Sequence, residues 1–168
     1  MSERSPYESL PAPSDVSLLL VRRPDLLVAI NQFCVWPEGF KFTLAVRLRG
    51  DSDAMPSINF SQFETLHESD IPFILRVSAD DGDSWLVGPS LPQADGGGLY
   101  MTLGSGSLSP ANIGRWDIEW WLNPMPEGKI IFEVSCPALG LKEVSTSTDA
   151  SALASAGVGT VGFLDSAE

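Results

Sequence analysis

Histidine occurs once in this chain and cysteine only twice. That shortage removes most familiar catalytic and metal chemistry. A Ser–His or Cys–His nucleophile needs a base beside it. The single histidine, His67, stands in the polar run Glu64-Thr65-Leu66-His67-Glu68, with no Gly-x-Ser-x-Gly element in the chain. It reads as a loop histidine. A zinc centre needs three or four closely spaced ligands, and one histidine with two distant cysteines does not supply them. Cys34 and Cys136 each lie inside an apolar, strand-like run, so they read as buried free thiols rather than as a disulfide.

Positive charge is scarce as well. Ten Lys and Arg stand against 22 Asp and Glu, a net charge of -12 and a pI near 4.3. Nucleic acid and anionic membranes both require a basic surface, so neither is an expected partner. Long apolar runs are also missing. Residues 18–21 and 26–30 are among the longest, well short of the ~20 residues that span a bilayer. The opening Met1-Ser2-Glu3-Arg4-Ser5-Pro6 is polar and does not read as a secretory leader. The expected setting is the cytoplasm.

What the chain does have is a globular composition: 168 residues, 43% of them apolar and 19% charged. That length suits one domain able to bury a core without metal or disulfide support. Residues 1–15, with Pro6, Pro11 and Pro13, read as a flexible arm. Residues 16–147 read as a β domain, and residues 148–168 as a weak helix followed by a flexible tail.

Alternation carries the β reading. In residues 39–49, Phe40, Phe42, Leu44, Val46 and Leu48 alternate with Lys41, Thr43, Ala45, Arg47 and Arg49. That is the period of a half-buried strand, and a helix would mix the two sets on every side. Residues 115–122 repeat the pattern, with Trp116, Ile118, Trp120 and Leu122 on one face and Arg115, Asp117, Glu119 and Trp121 on the other. Runs at 17–22, 26–36, 71–79, 84–87, 99–103, 129–135 and 139–145 are further strands, with a weaker one at 57–61. Asp80-Asp81-Gly82-Asp83 reads as a hairpin turn. The stretches 88–98 and 104–109, rich in Gly, Pro and Ser, read as flexible connections. Thr148 or Asp149 is placed to cap a short helix over residues 150–156, stopped by Gly157. The expected fold is all-β: an antiparallel β-sandwich of about eight or nine strands. Alternation alone does not separate this from a closed barrel, which is the second reading.

Several of these segments together resemble a family of uncharacterised bacterial proteins, mostly actinobacterial. They are Trp36-Pro37-Glu38-Gly39-Phe40, the strand from Phe42 to Leu48, Trp116 with Trp120-Trp121 and Pro124, and Cys136-Pro137-Ala138-Leu139-Gly140. The resemblance covers roughly residues 26–146. It implies a bacterial, intracellular setting and no particular chemistry.

Three groups of residues are candidate sites. Asp117 and Glu119 stand side by side on one strand face beside Trp121, as an acid–base pair with a sugar platform would. The plainer reading is a surface ladder, with these acids paired to Lys41, Arg47, Arg49 or Arg76 on neighbouring strands. Trp121 points away from Trp116 and Trp120. It is either covered by the C-terminal segment or is an exposed anchor for a partner. Asp51 and Asp53, with Asp80, Asp81 and Asp83, offer hard oxygen ligands for calcium if their loops converge, although turns favour Asp for backbone reasons alone.

The expected function is a non-catalytic protein-interaction or self-assembly module of a bacterial cytoplasmic system, binding through Trp121, Asp117 and Glu119. It would need no cofactor, and its partner would be another protein or a second copy in a homo-oligomer. A calcium- or glycan-binding sandwich is one alternative. An acidic immunity-type protein that neutralises a basic effector is another.

Overall fold

A computed structural model describes residues 9–49, 74–80, 82, 84–86, 98–108, 113–136, 140–157 and 161–162. Strands β1 (Ser9–Leu10), β2 (Ala12–Pro13), β3 (Leu18–Arg22), β4 (Leu26–Trp36) and β5 (Gly39–Arg49) come first. They are followed by β6 (Ile74–Ala79), β7 (Ser84–Leu86), β8 (Gly98–Leu108), β9 (Ile113–Asn123), β10 (Lys129–Cys136) and β11 (Leu141–Asp149). Helix α1 (Ala150–Gly157) and strand β12 (Val161–Gly162) complete the order.

The ladders sort into two main sheets. One has four strands in the order β11-β10-β6-β7. The other has six, β2-β4-β5-β9-β8, with β3 also on β4. Every described pairing is antiparallel. The two sheets stay separate and do not close into a barrel, so the sandwich reading holds.

The alternation seen in the sequence decides which side chains meet between the sheets. Phe40, Phe42, Leu44 and Val46 of β5 are fully buried, as are Leu122 of β9 and Ile130, Phe132 and Val134 of β10. Phe132 crosses from the four-stranded sheet to meet Phe42 edge-on, with ring centroids 5.2 Å apart, and Phe33 at 6.1 Å. Each such ring contributes roughly 1.5–3 kcal/mol by leaving water.

One placement breaks period two. Between Asn31 and Cys34 the β4–β5 register shifts, so three steps on β4 match two on β5. Gln32 carries the extra residue at φ 54°. That left-handed conformation costs a non-glycine residue roughly 1–2 kcal/mol. The bulge puts Ile30, Phe33 and Val35 all into the core, which strict alternation would forbid.

The sequence expectations meet three differences. Residues 9–13, expected in a flexible arm, include β1, which pairs with β12, and β2, which pairs with Cys34 and Val35. Gly104-Ser105-Gly106, expected as a flexible connection, continues β8 opposite Ile118, Asp117 and Trp116. The ladder satisfies backbone groups whatever the side chain, and a glycine leaves room opposite a tryptophan. Strand β11 runs on to Asp149 rather than stopping at residue 145. Helix α1 then follows at once, as its capping residues suggest. It packs on β4, β2 and β11 and buries Ala150 and Leu153 in the core. The weaker strand expected at 57–61 and the helical turn at 62–68, with His67, lie outside the described residues.

Candidate functional site

The outer face of the six-stranded sheet carries most of the singled-out side chains. Cross-strand register lays them out in rows. Arg22, Leu27, Arg47 and Arg115 form the first row, across β3, β4, β5 and β9. Leu19, Ala29, Ala45 and Asp117 form the next. Asn31, Thr43 and Glu119 follow, then Cys34, Lys41 and Trp121. Trp36, Gly39 and Asn123 end the face, with Trp36 opposite Gly39 and Phe40 opposite Leu122.

Asp117 and Glu119 are indeed neighbours, and both carboxylates are engaged. Lys41 Nζ lies 3.1 Å from Glu119 Oε1, and Arg47 Nη2 lies 2.9 Å from Asp117 Oδ1. The second oxygen of Asp117 accepts from Arg115 Nε. Arg47 also donates to the carbonyls of Val46 and Trp116. Of the four cations that could complete this ladder, Lys41 and Arg47 do so. Arg76 instead stands 3.6 Å from Glu133 on the other sheet. Both carboxylates that would serve as acid or base are thus held in ion pairs, and half-exposed pairs of this kind contribute at most about 1 kcal/mol.

Trp121 is not an anchor offered to a partner. It is only 4% exposed, and Trp36, 5% exposed, stands edge-on to it at 5.3 Å and 83°. Gly39 lies on the strand between them. It sits opposite Trp36 and buried, and a Cβ there would strike the Leu122 carbonyl oxygen. The sequence placed Trp121 on the correct face; what it lacked was the bulge at Gln32, which brings Trp36 onto that same face.

Between these ends lie smaller polar groups. Thr43 is buried and its hydroxyl donates to Gln32 Oε1 at 3.2 Å. Cys34 is half-buried. Burial pushes its thiol pKa up, Glu119 adds to the rise and Lys41 opposes it.

Of the five candidate calcium ligands only Asp80 is described. Its Oδ2 accepts from the Lys129 amide at 3.1 Å, and its own amide donates to the Lys129 carbonyl. Gly128, at φ 75°, brings the backbone close under the carboxylate. The side chain therefore fastens the β6–β7 turn to the start of β10. Asp51, Asp53, Asp81 and Asp83 lie outside the described residues. Asp80 shares the Gly39 end of the sandwich, because the short link from Asn123 to Lys129 joins the sheets there. Arg49, the last described residue of β5, is at the far end of an 11-residue strand, about 33 Å away along it. Among the described residues no three His, Cys, Asp or Glu are grouped to hold a metal ion. No helix among them is long and apolar enough to cross a membrane.

The residues that sequence reasoning missed are at the Arg49 end. Leu19 is 57% exposed and Leu27 43%. Arg22, Arg49 and Arg115 around them are exposed too. These residues lie far apart in the chain, and only strand register puts them in one patch. Compared with protein-family models and with curated proteins, the chain matches none.

Proposed function

We propose that this chain is a non-catalytic protein-interaction module of a bacterial cytoplasmic system, and that it binds through the outer face of its six-stranded sheet. The observation that carries this reading is the pair Leu19 and Leu27, large apolar side chains left in water on an otherwise ordered sheet face. Exposed apolar surface rimmed by polar groups marks association sites. The sheet beneath is a continuous antiparallel ladder, so a partner would meet a preformed surface at small entropic cost. The ion pairing of Asp117 and Glu119 supports the same reading over an acid–base one.

The test is capture on the tagged protein from lysate of its source organism, with sedimentation of the purified chain in parallel. A stoichiometric partner lost on Leu27→Glu, or self-association lost on that variant, is the expected result. A strictly monomeric chain that retains nothing overturns the reading.

A further inference from the structure

Among the described residues, the Arg49 end of this face carries a charge opposite to that of the whole protein. Of ten Lys and Arg in the chain, five gather here: Arg22, Arg23, Arg47, Arg49 and Arg115. The first row holds Arg22, Arg47 and Arg115. Arg49 stands on the same face one row beyond, and Arg23 is in the β3–β4 turn. Ion pairs at this end join Arg23 to Asp25, and Arg47 and Arg115 to Asp117. Among the described residues of this sheet end, five arginines stand with two aspartates, on a protein of net charge -12. Exposed Leu19 and Leu27 and half-buried Ala29 and Ala45 lie among these arginines.

We infer that this patch docks a partner polypeptide segment in which acidic and apolar side chains occur together. The inference rests on the reading of the chain as an interaction module. Arginine suits the role because its planar fork takes carboxylates bidentately and is weakly hydrated. The leucines decide between polymers. A nucleic-acid backbone would leave their apolar surface uncovered, and the surrounding negative charge repels a long polyanion. A short acidic segment lies within one Debye length, ~8 Å at physiological salt, of the arginines and is spared most of that repulsion.

The experiment uses the full chain and three labelled probes read by fluorescence anisotropy. One is a short peptide alternating glutamate with leucine or threonine. The second has lysine in place of glutamate, and the third is a single-stranded oligothymidylate. The glutamate peptide is expected to bind, more weakly as salt rises, and the other two to bind at least roughly tenfold less tightly. Arg22→Glu with Arg49→Glu, both exposed positions, is expected to weaken that binding about tenfold or more. Lys129→Glu, an exposed charge reversal on the other sheet at the opposite, Gly39 end, is expected to change it less than about twofold. Equal binding of the lysine peptide, tighter binding of the oligonucleotide, or equal losses in the Arg22/Arg49 and Lys129 variants overturns the inference. The interaction reading is judged separately: a captured partner that survives Arg22→Glu/Arg49→Glu but not Leu27→Glu keeps that reading and removes this site.

Discussion

Trp36 and Trp121 meet edge to face across Gly39, with ring centroids 5.3 Å apart. They come from strands that are not paired with each other, and β5 runs between them. Such aromatic pairs add about 0.5–1.5 kcal/mol beyond the area they bury. Trp121→Ala is therefore expected to destabilise the fold by about 3–5 kcal/mol in urea unfolding. The double variant with Trp36→Ala should fall short of the sum of the two single losses. A melt unchanged by Trp121→Ala would return Trp121 to the surface.

Gly39→Ala places a methyl group against the Leu122 carbonyl oxygen. That obstacle is backbone in a paired strand and has no rotamer to move to. A loss of about 1–3 kcal/mol is expected. Gly82→Ala makes a useful contrast, since nothing lies near its Cβ and only its φ of 92° opposes the change. Its loss should be smaller, about 1 kcal/mol.

Arg47 and Arg115 stand directly opposite each other on β5 and β9. Like charges so placed repel, and Asp117 holds both. Asp117→Asn is expected to cost about 1 kcal/mol by leaving the two guanidiniums unscreened. Adding Arg115→Ala should recover part of that loss. If thermal unfolding shows no recovery, the three charges do not act as a unit.

The Cys34 thiol is held above the ordinary thiol pKa, first by burial and then by Glu119. Alkylation of Cys34 at neutral pH should accordingly be slower than that of free cysteine. Glu119→Gln should speed it up. The folded state keeps this proton longer than the unfolded chain does. The contribution to stability is thus fully present below the ordinary thiol pKa and declines as pH rises through the folded value. Denaturant titrations on the alkaline side, compared with Cys34→Ser, would show that decline in the native protein alone.

The sequence by itself determined the β class, the inward set and much of the polar ladder. Period two is a local property, so Phe40 to Leu48 and Trp116 to Leu122 declare their buried face without any knowledge of neighbours. The pairing of Asp117 and Glu119 with Lys41 and Arg47 was legible for the same reason, since residues of opposite charge on wet faces find each other across strands. The helix after Asp149 was also legible, from its cap and its terminal glycine.

Only the tertiary structure decided the rest, because register is a relation between segments distant in the chain. The bulge at Gln32 sends Phe33 inward and brings Trp36 onto the face of Trp121, and no local pattern announces it. Residues 9–13 became strands because β4 and β12 offer them backbone partners, which outweighs a composition that reads as loose. The arginine patch depends on the alignment of β3, β4, β5 and β9. A single step of slip would turn those arginines into the core, so the side chains that lend this acidic protein a basic surface owe their place to the ladder.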